Sequence, residues 1–89
     1  MHLIFRILDL DVPRQKKAEL NLQGLVRSYG INANIYLVHD FLEFGRLGVA
    51  DKLPALELNG VIMSTGRTLT KAMFENICRR LASPIEFGN

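Results

Sequence analysis

Few residues in this chain carry catalytic chemistry. There is one thiol, Cys78, and there are two imidazoles, His2 and His39. A single thiol closes no intramolecular disulfide, and these three residues lack the spacing of a zinc site. His39 precedes Asp40, a pair able to move a proton. No nucleophile accompanies them, and both fit a loop that caps a helix. Cys78 could serve as a one-cysteine redox or thiol-transfer site. It also shares a helical stripe with Phe74, Ile77 and Leu81, and that spacing favours a small core residue.

The other chemically suggestive stretch is "LDLDVPRQKKAEL", Leu8 to Leu20. An apolar run enters, Pro13 interrupts it, and a helical pattern leaves. Arg14, Lys16 and Lys17 fall in the first turn, where cations oppose the helix dipole by a few tenths of a kcal/mol each. One reading is a site for an anion or an acidic peptide, with free helix N–H groups and the Arg14 guanidinium converging. Asp11 then competes for those donors. The plainer reading is a solvated face with Asp9 and Asp11 as counter-charges. "STGRTLT", Ser64 to Thr70, places glycine and hydroxyls before a helix. It lacks the Gly-Lys-Ser/Thr ending of a nucleotide loop and reads as a loop with a cap.

These residues sit on a chain of 89, with 48% hydrophobic residues, 22% charged residues and a net charge of +2. That length makes one domain, 1–89, closing in a short tail over 83–89. The basic residues are scattered among acids rather than gathered on a face, which argues against nucleic-acid binding. No apolar stretch approaches the length of a membrane span, and the opening "HLIFRIL" lacks the organisation of a secretory signal. The expectation is a soluble cytoplasmic protein with no cofactor and no metal, a monomer or weak homodimer.

Hydrophobic periodicity supplies the elements. His2 to Leu10 is a near-continuous apolar run, suited to a strand buried on both faces. Pro13 suits a helix's first turn. From there Ala18, Leu22, Leu25, Val26 and Tyr29 recur at helical spacing, and Gly30 terminates. Asn32 to Asp40 forms a second strand centred on Ile35 to Val38. Asp40 caps a short helix, "FLEFGRLG", which Gly45 and Gly48 weaken or end. Leu53–Leu58 and Val61–Ser64 flank Asn59-Gly60, a strong hairpin signal because both residues accept positive φ. Thr70 caps a last helix bearing Met73, Phe74, Ile77, Cys78 and Leu81, and Ser83-Pro84 stops it. The order is β-α-β-α-β-β-α. A right-handed crossover makes the first two strands parallel, and the hairpin adds two antiparallel ones.

That order, together with "GVADKLPALELNG" (Gly48 to Gly60), resembles the thioredoxin-like fold, and most of all the small thioredoxin- or glutaredoxin-like proteins of prokaryotes. The resemblance runs from Leu3 to Leu81. Its most specific part is Gly48-Val49, then Leu53-Pro54-Ala55-Leu56 and the Asn59-Gly60 turn; the spacing is one residue longer than the family's usual. It implies a four-stranded mixed sheet with helices on both faces and a cis-proline, Pro54, beside the first strand-to-helix corner. The family's redox pair, Cys-x-x-Cys, occupies that corner, where a helix N-terminus lowers thiol pKa. Here either Asp11 and Arg14 or Val12 and Gln15 replace the cysteines, and no register contains a thiol. The resemblance also implies that the backbone of Leu53 is free to pair with an extended peptide, a recognition mode that needs no catalyst.

The expectation is therefore a redox-inactive domain that binds a protein or peptide. Its candidate surface is Asp11, Val12, Pro13, Arg14, Gln15, Leu53 and Pro54. The alternatives are a thiol-dependent enzyme using Cys78 or a partner's cysteine, and a small domain that self-associates through the "VIMS" edge.

Overall fold

A computed structural model describes residues 2–83. The remaining residues of the expected tail, 84–89, lie outside the described residues. Seven elements follow in order: β1 (Leu3–Leu8), α1 (Val12–Ser28), β2 (Ala33–Val38), α2 (Phe41–Leu47), β3 (Ala55–Leu58), β4 (Val61–Thr65) and α3 (Lys71–Leu81). They build a mixed α/β fold around one four-stranded sheet in the order β2-β1-β3-β4. β1 and β2 run parallel, while β3 is antiparallel to both β1 and β4.

Strand alternation divides the core in two. Phe5 and Ile7 of β1 and Leu56 of β3 point to one face, where they pack with Ala18, Leu22, Leu25 and Val26 of α1 and Phe74 and Cys78 of α3. The stripe from Ala18 to Val26 is thus buried as its spacing predicts. On the opposite face, Leu8 and Ala55 pack with Phe44 of α2 and with Val49.

Local chemistry sets the element ends. The Asp40 carboxylate accepts from the Leu42 N–H at 2.9 Å and opens α2. Gly48 closes it in the left-handed region, with φ of 74°. Thr70 Oγ1 accepts from the Met73 N–H at 3.1 Å and opens α3. Asn59 and Gly60 both have positive φ, 49° and 85°, as a two-residue hairpin turn requires. The Asn59 side chain also ties this turn to β1, its Oδ1 accepting from the Ile4 N–H at 2.7 Å.

One expectation fails. β1 is not buried on both faces: Ile4 is exposed and Arg6 half-buried. The cause is the size of α2, which has seven residues and buries only Phe44. It covers the carboxyl half of its face, around Leu8 and Val38, and leaves Ile4 and Tyr36 in the open. At the boundary Arg6 bridges the sheet and α2. Its guanidinium donates to both Glu57 oxygens and to Glu43, and Arg46 donates to the same Glu43 carboxylate. The hydrogen bonds from Arg46 and then Arg6 hold the Glu43 carboxyl at about 2, so Glu43 stays ionised at any ordinary pH.

Candidate functional site

The corner after β1 is built by two aspartates with different tasks. Asp11 is the N-cap of α1; its carboxylate accepts from the Arg14 N–H at 3.1 Å. Asp9, only 1% exposed, accepts from Arg14 Nε at 2.7 Å and from its terminal nitrogen at 2.6 Å. The Asp11 N–H also donates to Asp9, at 3.2 Å. Burial raises the Asp9 pKa, but the Arg14 and backbone hydrogen bonds outweigh it and hold the carboxyl below its ordinary value. The donors proposed to greet an acidic ligand are thus already engaged. Asp11 takes the helix N–H, and Asp9, rather than Asp11, takes the guanidinium.

Gln15 leaves the candidate surface altogether. It is 1% exposed, and its Nε2 donates to the Ile7 carbonyl at 2.7 Å and the Val38 carbonyl at 3.2 Å. It ties the start of α1 to the carboxyl ends of the parallel pair β1 and β2. Its Oε1 is buried without a hydrogen-bond partner among the described residues. The signal was present in the spacing: Gln15 lies three residues before Ala18 and so begins the buried stripe. Polarity hid it, because an amide can enter a core when backbone carbonyls receive it.

Asp11, Val12, Pro13 and Arg14 remain exposed. Val12, a member of the candidate surface, is 57% exposed, and so is much of Leu10, at 51%, an apolar neighbour that sequence reasoning passed over. The Leu53-Pro54 bond is cis. Leu53 packs its side chain against the Phe44 cluster. Among the described residues, neither its N–H nor its carbonyl enters a backbone hydrogen bond. Pro54 is buried and lines a cleft of about 320 Å³ with Asp9, Arg14, Lys17, Ala18, Asn21 and the stretch Thr68 to Lys71. The structure therefore brings Arg14 and Pro54 to one cavity with Lys17, from the cation run after Pro13, and adds Lys71, a cation not singled out from sequence.

No family model, characterised protein or solved structure matches this chain. Arg14 is neutralised by Asp9, whereas neither Lys17 nor Lys71 belongs to any ion pair among the described residues. No acid occupies the first turn of α1 or α3. Asp11 caps α1 with its own carboxylate, so the positive character of the cleft comes from the Thr70-capped N-terminus of α3 and the two ammonium groups.

Cys78 lies elsewhere. It is fully buried in the α1–α3 core, and burial pushes its thiol pKa up. A reactive thiol needs the opposite environment, electropositive and open. Cys78→Ser is expected to cost about 1–2 kcal/mol, because a hydroxyl is placed where it lacks a partner. Chemical denaturation measures this; an unchanged midpoint would show that the position tolerates polarity and is less enclosed than it looks. His39 is exposed, and Asp40 is occupied in capping α2. Among the described residues, no three His, Cys, Asp or Glu side chains cluster as metal ligands, and no helix is long and apolar enough to cross a membrane.

Proposed function

We propose that this chain is a thioredoxin-like domain without redox chemistry that binds an extended, acidic peptide segment of another protein. The sheet order β2-β1-β3-β4, with a parallel and an antiparallel half, supports the fold assignment. The observation that carries the function is the backbone of Leu53. Its two polar groups lack a backbone partner, while its side chain is anchored below, next to the Pro54 wall of a positive cleft. An extended peptide satisfies both groups by strand-like pairing. A carboxylate one or two residues along it reaches the cleft and meets Lys17 and Lys71. The exposed side chains of Leu10 and Val12, on the same β1–α1 corner, offer apolar contact to such a peptide.

A blocked peptide of alternating valine and glutamate, and its valine–lysine counterpart, test this. Amide NMR titration is expected to show shifts at Leu53, Lys17 and Lys71 with the acidic peptide, at about tenfold higher affinity than with the basic one. That ratio should fall as salt is added. The double change Lys17→Glu with Lys71→Glu should invert the preference. Equal affinities, or shifts that avoid Leu53, would remove the proposal.

A further inference from the structure

The free edge at β2 presents hydrogen-bonding groups whose pattern is complementary to itself. The Leu3 N–H donates to the Asn32 carbonyl at 3.0 Å, and the Asp9 N–H to the Val38 carbonyl at 3.3 Å. On a parallel strand, the N–H and C=O of one residue lie on the same side and alternate along the chain. The backbones of Asn32, Asn34, Tyr36 and Val38 therefore face β1. Those of Ala33, Ile35 and Leu37 face outward, and among the described residues their N–H and C=O groups have no partner strand, because β2 ends the sheet.

Exposed edges invite pairing, and proteins that remain single guard them with charge, proline or a bulge. β2 has none of these. "ANIYLV" is uncharged, and its register with β1 is unbroken over six pairs, Leu3↔Ala33 to Leu8↔Val38. The opposite edge, β4, is interrupted by a register shift beside Leu56 and Glu57. There is also room for a strand beside β2. An open groove of about 540 Å³ runs along it, bounded by Gln23, Val26 and Arg27 of α1, by Ile31 and by the strand from Ala33 to Tyr36.

We propose that a second copy of this chain occupies the β2 edge, antiparallel and related by a twofold axis at Ile35, so that the two sheets become one of eight strands. Antiparallel pairing about Ile35 sets Ile35 opposite its own copy and Ala33 opposite Leu37. Each of these is a hydrogen-bonded pair, so every outward N–H and C=O from Ala33 to Leu37 is satisfied. On the other face Asn34 meets Tyr36 across the axis, in the non-hydrogen-bonded pairs where side chains approach closest. No charge opposes a like charge along either strand. A twofold contact needs such a self-complementary patch. The inference is independent of the peptide site, which lies at Leu53 and Pro54. It also places self-association on β2 rather than on the β4 edge that the sequence suggested.

Light scattering of the full chain from micromolar to millimolar concentration, with amide exchange at both ends, tests it. The mass should rise toward twice that of the chain. Exchange of the Ala33, Ile35 and Leu37 amides should slow by about tenfold or more on concentration. The Asn34 and Tyr36 amides, already bonded to β1, should change little. Asn34→Lys with Tyr36→Lys places lysines opposite one another and should keep the chain monomeric while its circular dichroism stays native. Asn34→Glu with Tyr36→Lys places opposite charges across the axis and should restore the dimer. A single-chain mass at every concentration would overturn the proposal. So would a dimer that persists in the double-lysine variant, or one that leaves the three outward amides unprotected.

Discussion

Replacing Phe44 with alanine is expected to lower stability by about 3–5 kcal/mol, the range for emptying a buried phenylalanine site. In a chain this short the total is itself only about 4–13 kcal/mol. The reason for a value at the upper end is local. α2 is too short to persist as an isolated helix, and Phe44 is the one side chain it buries. The same ring packs on Leu8, Val49 and Ala55, and the Phe44 carbonyl accepts from the Val49 N–H at 2.9 Å. Its removal should undock α2 and loosen the segment from Val49 to Pro54. Urea denaturation reads the first effect. The second appears as weaker binding of the valine–glutamate peptide under conditions where the sheet amides of β1 and β3 remain protected. Phe44→Leu, which keeps most of the volume, should recover much of both losses. A denaturation midpoint unchanged by Phe44→Ala would mean that α2 contributes no packing and that the loop before β3 stands without it.

That dependence shows what the sequence could and could not reveal. The elements were legible because each is signalled within a few residues. The period of Ala18 to Tyr29 marks α1, Asp40 and Thr70 mark helix starts, and Asn59-Gly60 marks the hairpin. Each signal acts through backbone chemistry over one turn or one hairpin, so it survives without knowledge of the tertiary fold. The Leu53-Pro54 conformation was legible only through the family resemblance. The site walls were not legible. Arg6 meets Glu57 across 51 residues and Glu43 across 37, and no periodic pattern encodes which distant charges will meet. Lys17 and Lys71 reach one cleft only because α1 and α3 lie side by side on one face of the sheet. Gln15 does not read as a core residue, and Asp9, which does pair with Arg14 as a counter-charge, does not read as a buried one, for a related reason. Both are polar, and their burial depends on partners at Ile7, Val38 and Arg14 that only the folded corner brings within reach.

The corner itself provides the second large effect. Arg14→Ala is expected to destabilise the fold by about 2–3 kcal/mol. Breaking a fully buried pair costs about 3–5 kcal/mol. Here the Asp9 side chain is 1% exposed but that of Arg14 is 45% exposed, so solvent screens part of the attraction and the figure is discounted accordingly. The dependence on pH identifies the mechanism. In the native protein the Asp9 carboxyl lies below its ordinary value, so the pair's contribution is complete above the unfolded carboxylate pKa of about 3.9 and is lost as pH falls through the folded value. Without Arg14, burial acts on Asp9 with less opposition and its pKa rises, so the variant loses stability as pH increases through that raised value. The gap between the two proteins should be widest at neutral pH and should close below about pH 4. Adding Asp9→Asn to Arg14→Ala removes the stranded charge while an amide oxygen still accepts from the Asp11 N–H, and it should return most of the loss at pH 7. With Asp9→Asn alone as the fourth corner, urea melts of the native chain, the two single variants and the double variant across pH 3 to 8 complete the cycle. A coupling below about 0.5 kcal/mol, or one indifferent to pH, would mean that Arg14 is not committed to Asp9. Its guanidinium would then be free to grip a ligand carboxylate. A strong coupling that fades in acid leaves anion recognition to Lys17 and Lys71.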